Sequence, residues 1–145
     1  MLSKAIGIAT NAFQGVNDAN GNPYIDHAMR VMSKMDTEEE KIIAVLHDVV
    51  EDTEMTLHEL QEAGFSRTVL DTIGMLTKKP DMKYFDYIED IHSSDLASKI
   101  KIAEIEDNQD IMRVRKMSFQ TYTAAERVKK TLAILRDKEI SEKSQ

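Results

Sequence analysis

The sequence contains no cysteine among its 145 residues, which excludes disulfide bonds, thiolate nucleophiles and zinc sites built on sulfur. Basic residues are outnumbered, since 19 Lys and Arg stand against 26 Asp and Glu, for a formal net charge of −7. With neither a basic stripe nor a basic tail, we expect no nucleic acid and no anionic membrane as a partner. The longest apolar run, Ile42 to Leu46, is far shorter than the roughly 20 residues of a transmembrane helix.

The length of the chain suits one domain, because chains of this size bury roughly 70% of their unfolded surface in a core. We assign residues 1–136 to that domain and residues 137–145 to a charged, frayed tail. The first residues lack the apolar run of a secretory leader, and with no cysteine a reducing cytoplasm is the expected location. The oligomeric state cannot be read from the sequence.

Apolar residues recur at helical spacing along most of the chain, and no alternating stretch predicts a strand. The sequence therefore predicts an all-α fold of seven or eight helices joined by short loops. Three of the helix starts carry capping signals: Asp36 to Glu40, Thr56 to Glu59, and Ser66. Leu96 to Asp107 is predicted to be a helix that ends at its acidic residues.

The helix that contains His47 carries an unusual group of polar residues. His47 and Glu51 lie one turn apart, and Asp48 and Asp52 lie beside them, while the opposite arc is apolar. Acids three or four residues apart repel each other, and acids in a last turn oppose the helix dipole. A divalent cation would reverse both effects, and the histidine favours a metal site. A solvated acidic face on an acidic protein is the alternative interpretation.

The helix predicted to end at Asp107 is also rich in acids near its end, with Glu104 and Glu106. Two helices that both end in acids are easier to explain if both ends face one cation. His27, in the first turn of another predicted helix, is by itself more often a capping or packing residue than a ligand.

Three segments together resemble a known family. They are Asn22–His27, Val45–Thr53 and Lys101–Asn108, and in this order and spacing they resemble the HD-domain hydrolases of the RelA/SpoT type, including small stand-alone forms similar to the metazoan SpoT homologue. The likeness runs from about Ala5 to Leu135, and the segment around His47 is the most specific of the three.

The resemblance implies a metal-dependent phosphohydrolase on an all-helical HD domain. The family removes pyrophosphate from the 3′ position of guanosine tetra- and pentaphosphate, usually with Mn²⁺, and we expect hydrolysis without a synthetase half. The partner would be this small nucleotide. The implied site residues, by role, are the metal ligands His27, His47, Asp48 and Glu104, the acid–base residues Glu51 and Asp52 beside the attacking water, and Asn108 in the nucleotide site.

Lys101 could contact a phosphate, with a solvated lysine as the alternative, and the same two interpretations hold for Arg113. Three residues depart from the family pattern: Glu104 replaces an aspartate, Phe13 a histidine, and Asp18 a basic residue. Phe13 and Glu104 together point to altered substrate or weakened activity, whereas small stand-alone members resemble this chain at Asp18. Two alternatives therefore stay open. A diverged domain could bind a nucleotide or a partner without turnover, or it could hydrolyse another nucleotide or phosphoester.

Overall fold

The computed structural model describes the backbone of residues 1–112 and 119–137, and the side chains of residues 1–109 and 125–137. Within this part of the chain there are eight helices and no strand, so the predicted all-α fold is confirmed. The helices are α1 (Leu2–Ala12), α2 (Ile25–Ser33), α3 (Glu38–Asp52), α4 (Leu57–Glu62), α5 (Arg67–Leu76), α6 (Tyr84–His92), α7 (Asp95–Met112) and α8 (Phe119–Arg136).

The chain divides into two compact units, Met1–Lys79 and Pro80–Gln145. The division into a domain of residues 1–136 and a tail stays a prediction, and residues 138–145 of that tail lie outside the described part. No helix among the described residues is both long enough and apolar enough to cross a membrane.

The predicted capping signals start their helices as expected. Thr37 accepts a hydrogen bond from the backbone N–H of Glu40 at 3.1 Å, and the Glu40 carboxylate accepts one from the N–H of Thr37 at 3.1 Å. Thr56 and Glu59 form the same reciprocal pair at the start of α4. Such caps satisfy backbone donors that a helix leaves without partners in its first turn.

The first unit is built around α3, which packs against α1, α2 and α5. Because neighbours cover it on several sides, every residue from Ile42 to Val49 is buried. This corrects the alternative of a solvated acidic face: His47 and Asp48 are 1% and 3% exposed, although Glu51 and Asp52 at the end of the helix are open to solvent. The polar group thus begins inside the unit and reaches the surface one turn later.

The loop between α1 and α2 folds back on itself as a small closed turn. Asn17 and Pro23 form an isolated antiparallel bridge, and the backbone N–H of Tyr24 donates to the carbonyl of Val16 at 2.8 Å. Gly15 and Gly21 adopt φ of 79° and 84°, values that other residues adopt only under strain. The closed turn holds Tyr24 at the N-terminal boundary of α2.

In the second unit, α6, α7 and α8 pack pairwise around buried aliphatic residues of all three helices. The helix that carries Glu104 and Glu106 is α7. The prediction that it ends at Asp107 is wrong, because α7 continues to Met112. Neither glycine nor proline follows Asp107 to stop the helix, so Glu104, Glu106 and Asp107 lie before the last turn of α7, and Asp110 is the acid within that turn. Among the acids behind the inference of two acid-ended helices, Glu51 and Asp52 end α3, whereas in α7 only Asp110 stands in the last turn.

Candidate metal centre

The carboxylate of Asp48 lies between two imidazoles inside the first unit. Its Oδ1 is 3.0 Å from Nε2 of His47, and its Oδ2 is 3.5 Å from Nε2 of His27. The three side chains are between 1% and 4% exposed. His27 comes from α2 and the other two residues come from α3, so the packing of these two helices brings the group together.

The orientation of the His47 ring follows from its second nitrogen. Nδ1 lies 2.7 Å from the backbone carbonyl oxygen of Ala44, which can only accept, so Nδ1 carries the proton and donates. In the neutral ring, Nε2 then directs a lone pair toward the Asp48 carboxylate. Two acceptors 3.0 Å apart repel each other unless a proton or a cation lies with them. Fixing of one ring nitrogen by a backbone carbonyl is a common feature of metal-binding histidines.

The charge state of Asp48 also suits a cation. Burial alone would raise the pKa of this carboxyl group, but the imidazoles of His47 and His27, when protonated, hold the pKa well below its usual range through their positive charge and hydrogen bonds. Asp48 therefore stays ionised in the interior of the unit. Imidazole nitrogen together with carboxylate oxygen is a donor set that fits a divalent transition metal such as Mn²⁺, Fe²⁺ or Zn²⁺.

Tyr24 is part of this centre, and the sequence reasoning did not assign it a role. Its hydroxyl group donates to Oδ2 of Asp48 at 3.1 Å and lies 3.3 Å from Oδ2 of Asp52. The ring of Tyr24 packs against that of His27, with centroids 5.5 Å apart. The available signal was position: Tyr24 precedes His27 by three residues in the same segment, a spacing that places both on one side of a helical turn.

The candidate acid–base residues lie at the exposed end of α3. Asp52 is linked to the buried group through Tyr24, and Glu51 is one turn after His47. Both carboxylates are exposed to solvent, whereas His27, His47 and Asp48 are covered.

Three further predicted residues lie on α7 in the second unit: Lys101, Glu104 and Asn108. The interpretation of Lys101 as a solvated lysine is wrong. Its Nζ donates to Oε2 of Glu104 at 3.1 Å, and the two side chains are only 14% and 13% exposed. Asn108 is exposed, whereas Asp107, to which the sequence reasoning gave no role, is 3% exposed. Arg113 lies outside the described residues.

Two of the departures from the family pattern have local structural roles. Phe13 is 3% exposed and packs on the ring of Tyr24, with centroids 4.8 Å apart. Asp18 accepts hydrogen bonds from the backbone N–H groups of Asn20 and Asn22 at 2.8 and 3.0 Å. Its carboxylate therefore stabilises the closed turn that precedes α2.

The chain is similar to known hydrolases over part of its length. It is 30% identical over 89 residues to the bifunctional (p)ppGpp synthase/hydrolase SpoT of Escherichia coli K12. This match covers 59% of this chain and 12% of that protein. It is 33% identical over 81 residues to the guanosine-3′,5′-bis(diphosphate) 3′-pyrophosphohydrolase of Haemophilus influenzae, which is 53% of this chain and again 12% of the relative. No family model matches the chain.

A solved structure shares the fold over nearly the whole chain. It is described as a metazoan ortholog of SpoT that hydrolyses ppGpp, and the similarity covers 94% of this chain and 85% of that one, with a TM-score of 0.78 and 21% sequence identity. The resemblance to the RelA/SpoT type and the helical fold implied by it are thus confirmed. The chain spans 12% of the length of the curated relatives.

Proposed function

We propose that this chain is a divalent-metal-dependent phosphohydrolase that removes pyrophosphate from the 3′ position of guanosine tetraphosphate or pentaphosphate. The observation that carries the proposal is the buried Asp48, whose two carboxylate oxygens each lie within 3.5 Å of a different imidazole. The similarity to proteins named as 3′-pyrophosphohydrolases supports the choice of substrate. A cytoplasmic location, where such a nucleotide would be met, belongs to the same proposal.

His27, His47 and Asp48 would hold the metal, with Mn²⁺ as the ion we propose and Glu104 as the fourth ligand. Glu104 is proposed because it stands in the segment where the family has a ligating aspartate, and its carboxylate offers the same kind of oxygen. When bound, a divalent ion lowers the pKa of water and neutralises phosphoryl oxygens. His47 is suited to bind through Nε2, since the Ala44 carbonyl fixes the proton on Nδ1.

Glu51 and Asp52 would share the proton transfers. One carboxylate accepts a proton from the water that attacks phosphorus, and the other donates a proton to the ribose 3′ oxygen as its bond to phosphorus breaks. Both groups are exposed at the end of α3, so a nucleotide can reach them. Asn108 and Lys101 on α7 are proposed to bind the nucleotide, Asn108 through its exposed amide and Lys101 through its ammonium group.

The test is hydrolysis of guanosine tetraphosphate with added Mn²⁺, with release of pyrophosphate as the readout. His47→Ala is expected to abolish the metal-dependent rate, and Glu51→Ala is expected to lower kcat by about 10²–10⁴-fold, the usual contribution of an acid–base group. His58→Ala is the matched control, because His58 is a surface residue whose side chain is 75% exposed. Activity that survives both His47→Ala and Glu51→Ala would overturn the proposal.

A second candidate, nucleotide binding without turnover, is favoured by one observation. Lys101 donates to Oε2 of Glu104, so a cation of the chain itself already occupies one oxygen of the proposed fourth ligand. This candidate predicts that calorimetry detects binding of guanosine tetraphosphate while no pyrophosphate is released, with or without Mn²⁺. Pyrophosphate release by the wild-type protein that is lost in His47→Ala excludes it.

A further inference from the structure

We infer that Tyr24 is a positioning residue of the metal centre, whose hydroxyl group holds the carboxylate of Asp48 in the orientation that faces both His27 and His47. This role rests on the metal site of the proposed function, but it concerns binding of the ion and not the identity of the substrate.

The geometry of the Asp48 carboxylate needs a restraint on its rotation. One oxygen must face His47 and the other must face His27, so rotation of the carboxylate plane would disturb both contacts at once. The side chain of Asp48 can turn about its terminal bond with a broad preference. The Tyr24 hydroxyl, 3.1 Å from Oδ2, is a neutral donor that restrains this rotation without competing for the cation.

The hydroxyl group is itself held in place by three separate contacts of its residue. The Tyr24 ring packs against Phe13 on one side, with centroids 4.8 Å apart, and against His27, with centroids 5.5 Å apart. The backbone N–H of Tyr24 is tied to the carbonyl of Val16. A donor with this support loses little freedom when it binds a carboxylate, which is the condition for an effective support of a metal ligand. Phe13 therefore acts through Tyr24 as the platform for its ring.

The same hydroxyl links the buried ligand to the exposed acid. Tyr24 has one proton to donate, and carboxylate oxygens of two residues, Asp48 and Asp52, lie within 3.3 Å of its oxygen. The Asp52 carboxylate therefore lies next to the metal centre. A tyrosine with a purely structural role would not need two acidic partners, since neutral acceptors serve a partly buried phenol equally well.

The experiment measures Mn²⁺ affinity by calorimetric titration of protein stripped with a chelator. Tyr24→Phe keeps the ring and removes only the hydroxyl group. We expect it to weaken Mn²⁺ binding by about 10–100-fold, as loss of a group that orients a metal ligand usually does. Tyr84→Phe is the matched control, because it removes a tyrosine hydroxyl that accepts from Thr131 at 3.2 Å within the second unit. Its Mn²⁺ affinity should equal that of the wild type.

Two readouts separate positioning from stability. The melting temperature without metal should change by similar amounts in Tyr24→Phe and Tyr84→Phe, while only Tyr24→Phe loses metal affinity. With Mn²⁺ at saturation, Tyr24→Phe should recover most of its kcat and keep the KM of the wild type for the nucleotide. Phe13→Leu keeps the hydroxyl group of Tyr24 but loosens the packing of its ring, so we expect a smaller loss of Mn²⁺ affinity. If Tyr24→Phe does not fold, the Mn²⁺ affinity of Phe13→Leu tests the positioning role instead.

Wild-type Mn²⁺ affinity in Tyr24→Phe, or in Phe13→Leu where Tyr24→Phe does not fold, overturns the inference. If the wild-type protein binds Mn²⁺ but does not hydrolyse guanosine tetraphosphate, the proposed substrate is wrong. The positioning role of Tyr24 is then still decided by the Mn²⁺ affinities of the variants. A wild-type protein that binds no Mn²⁺ removes both.

Discussion

Replacement of Lys101 by methionine tests the ion pair between Lys101 and Glu104 on α7. This ion pair contradicts the interpretation of Lys101 as a solvated lysine. The ammonium group lies 3.1 Å from the carboxylate of Glu104, and both side chains are about nine-tenths covered, at 14% and 13% exposure. The ammonium also lies 5.5 Å from the centre of the Tyr87 ring. Methionine keeps the length of the apolar stem and removes the charge, so the substitution isolates the electrostatic contribution.

The size of the effect follows from this geometry. At an effective dielectric constant of about 20, two unit charges about 3 Å apart attract by roughly 5 kcal/mol. Part of this attraction is offset by the desolvation of the ammonium group, and removal of one member of a buried pair costs roughly 3–5 kcal/mol in measured cases. We therefore expect Lys101→Met to lower the free energy of unfolding by about 3 kcal/mol.

The effect should also depend on pH in one direction. Burial alone would lower the pKa of Lys101, but the carboxylate of Glu104 and the ring hydroxyl of Tyr87 raise the pKa well above its ordinary value. A folded-state pKa above the unfolded value of roughly 10.4 means that the stabilisation is fully present below that pH and is lost as the pH rises through the folded-state pKa. The difference between Lys101→Met and the wild type should be constant near neutral pH and shrink in strong alkali.

Urea unfolding followed by circular dichroism measures the difference. Lys129→Met, at an exposed position of α8 in the same unit, is the control and should change stability by less than about 0.5 kcal/mol. A double-mutant cycle with Glu104→Gln should give a coupling of about 0.5–3 kcal/mol between the two residues. A loss below about 1 kcal/mol in Lys101→Met would refute the buried pair and restore the picture of a solvated lysine, since exposed pairs contribute no more than this.

Two further predictions concern the metal site. Mn²⁺ at 100 times its Kd should stabilise the protein by about 2.7 kcal/mol and raise the melting temperature by about 5–10 °C, reversibly with a chelator; an equal rise in Asp48→Asn would show that the ion binds elsewhere. Glu104→Asp restores the aspartate of the family pattern and should raise kcat/KM for Mn²⁺-dependent hydrolysis of guanosine tetraphosphate. An unchanged rate would mean that position 104 does not limit the reaction.

Local signals explain why so much of the fold could be predicted. A capping residue and the acid three positions later interact within one turn, so Thr56 with Glu59 defines a helix start whatever surrounds it. The signal for the end of α3 at Asp52 is also local, because it lies in Thr53 and the turn that follows. The helix that carries Glu104 lacks such a stop, and there the predicted end was five residues short. The helix continues beyond Asp107 because the residues that follow are all compatible with helical backbone.

The site could be predicted only in part because burial is a property of packing. Periodicity put His47 and Asp48 on the polar side of α3, but it does not report that α2 and other neighbours cover that side. The contact of Tyr24 with Asp48 joins residues 24 positions apart and depends on a closed turn whose hydrogen bonds no helical pattern reveals. Residue types therefore indicated the chemistry, and only tertiary contacts identified the residue that orients it.

The end of α3 is poorly designed for stability alone, and that is an argument for a bound cation. Its last turn contains acids and no basic residue, an arrangement that opposes the helix dipole by roughly 0.3–1 kcal/mol per charge. One turn earlier, the buried carboxylate of Asp48 lies 3.0 Å from Nε2 of His47, whose lone pair would repel it in the neutral ring. Local rules are commonly broken at functional sites. A divalent cation at Asp48 would turn each of these unfavourable interactions into a favourable one. Addition of Mn²⁺ should therefore raise the free energy of unfolding more in the wild type than in a variant that lacks the Asp48 charge.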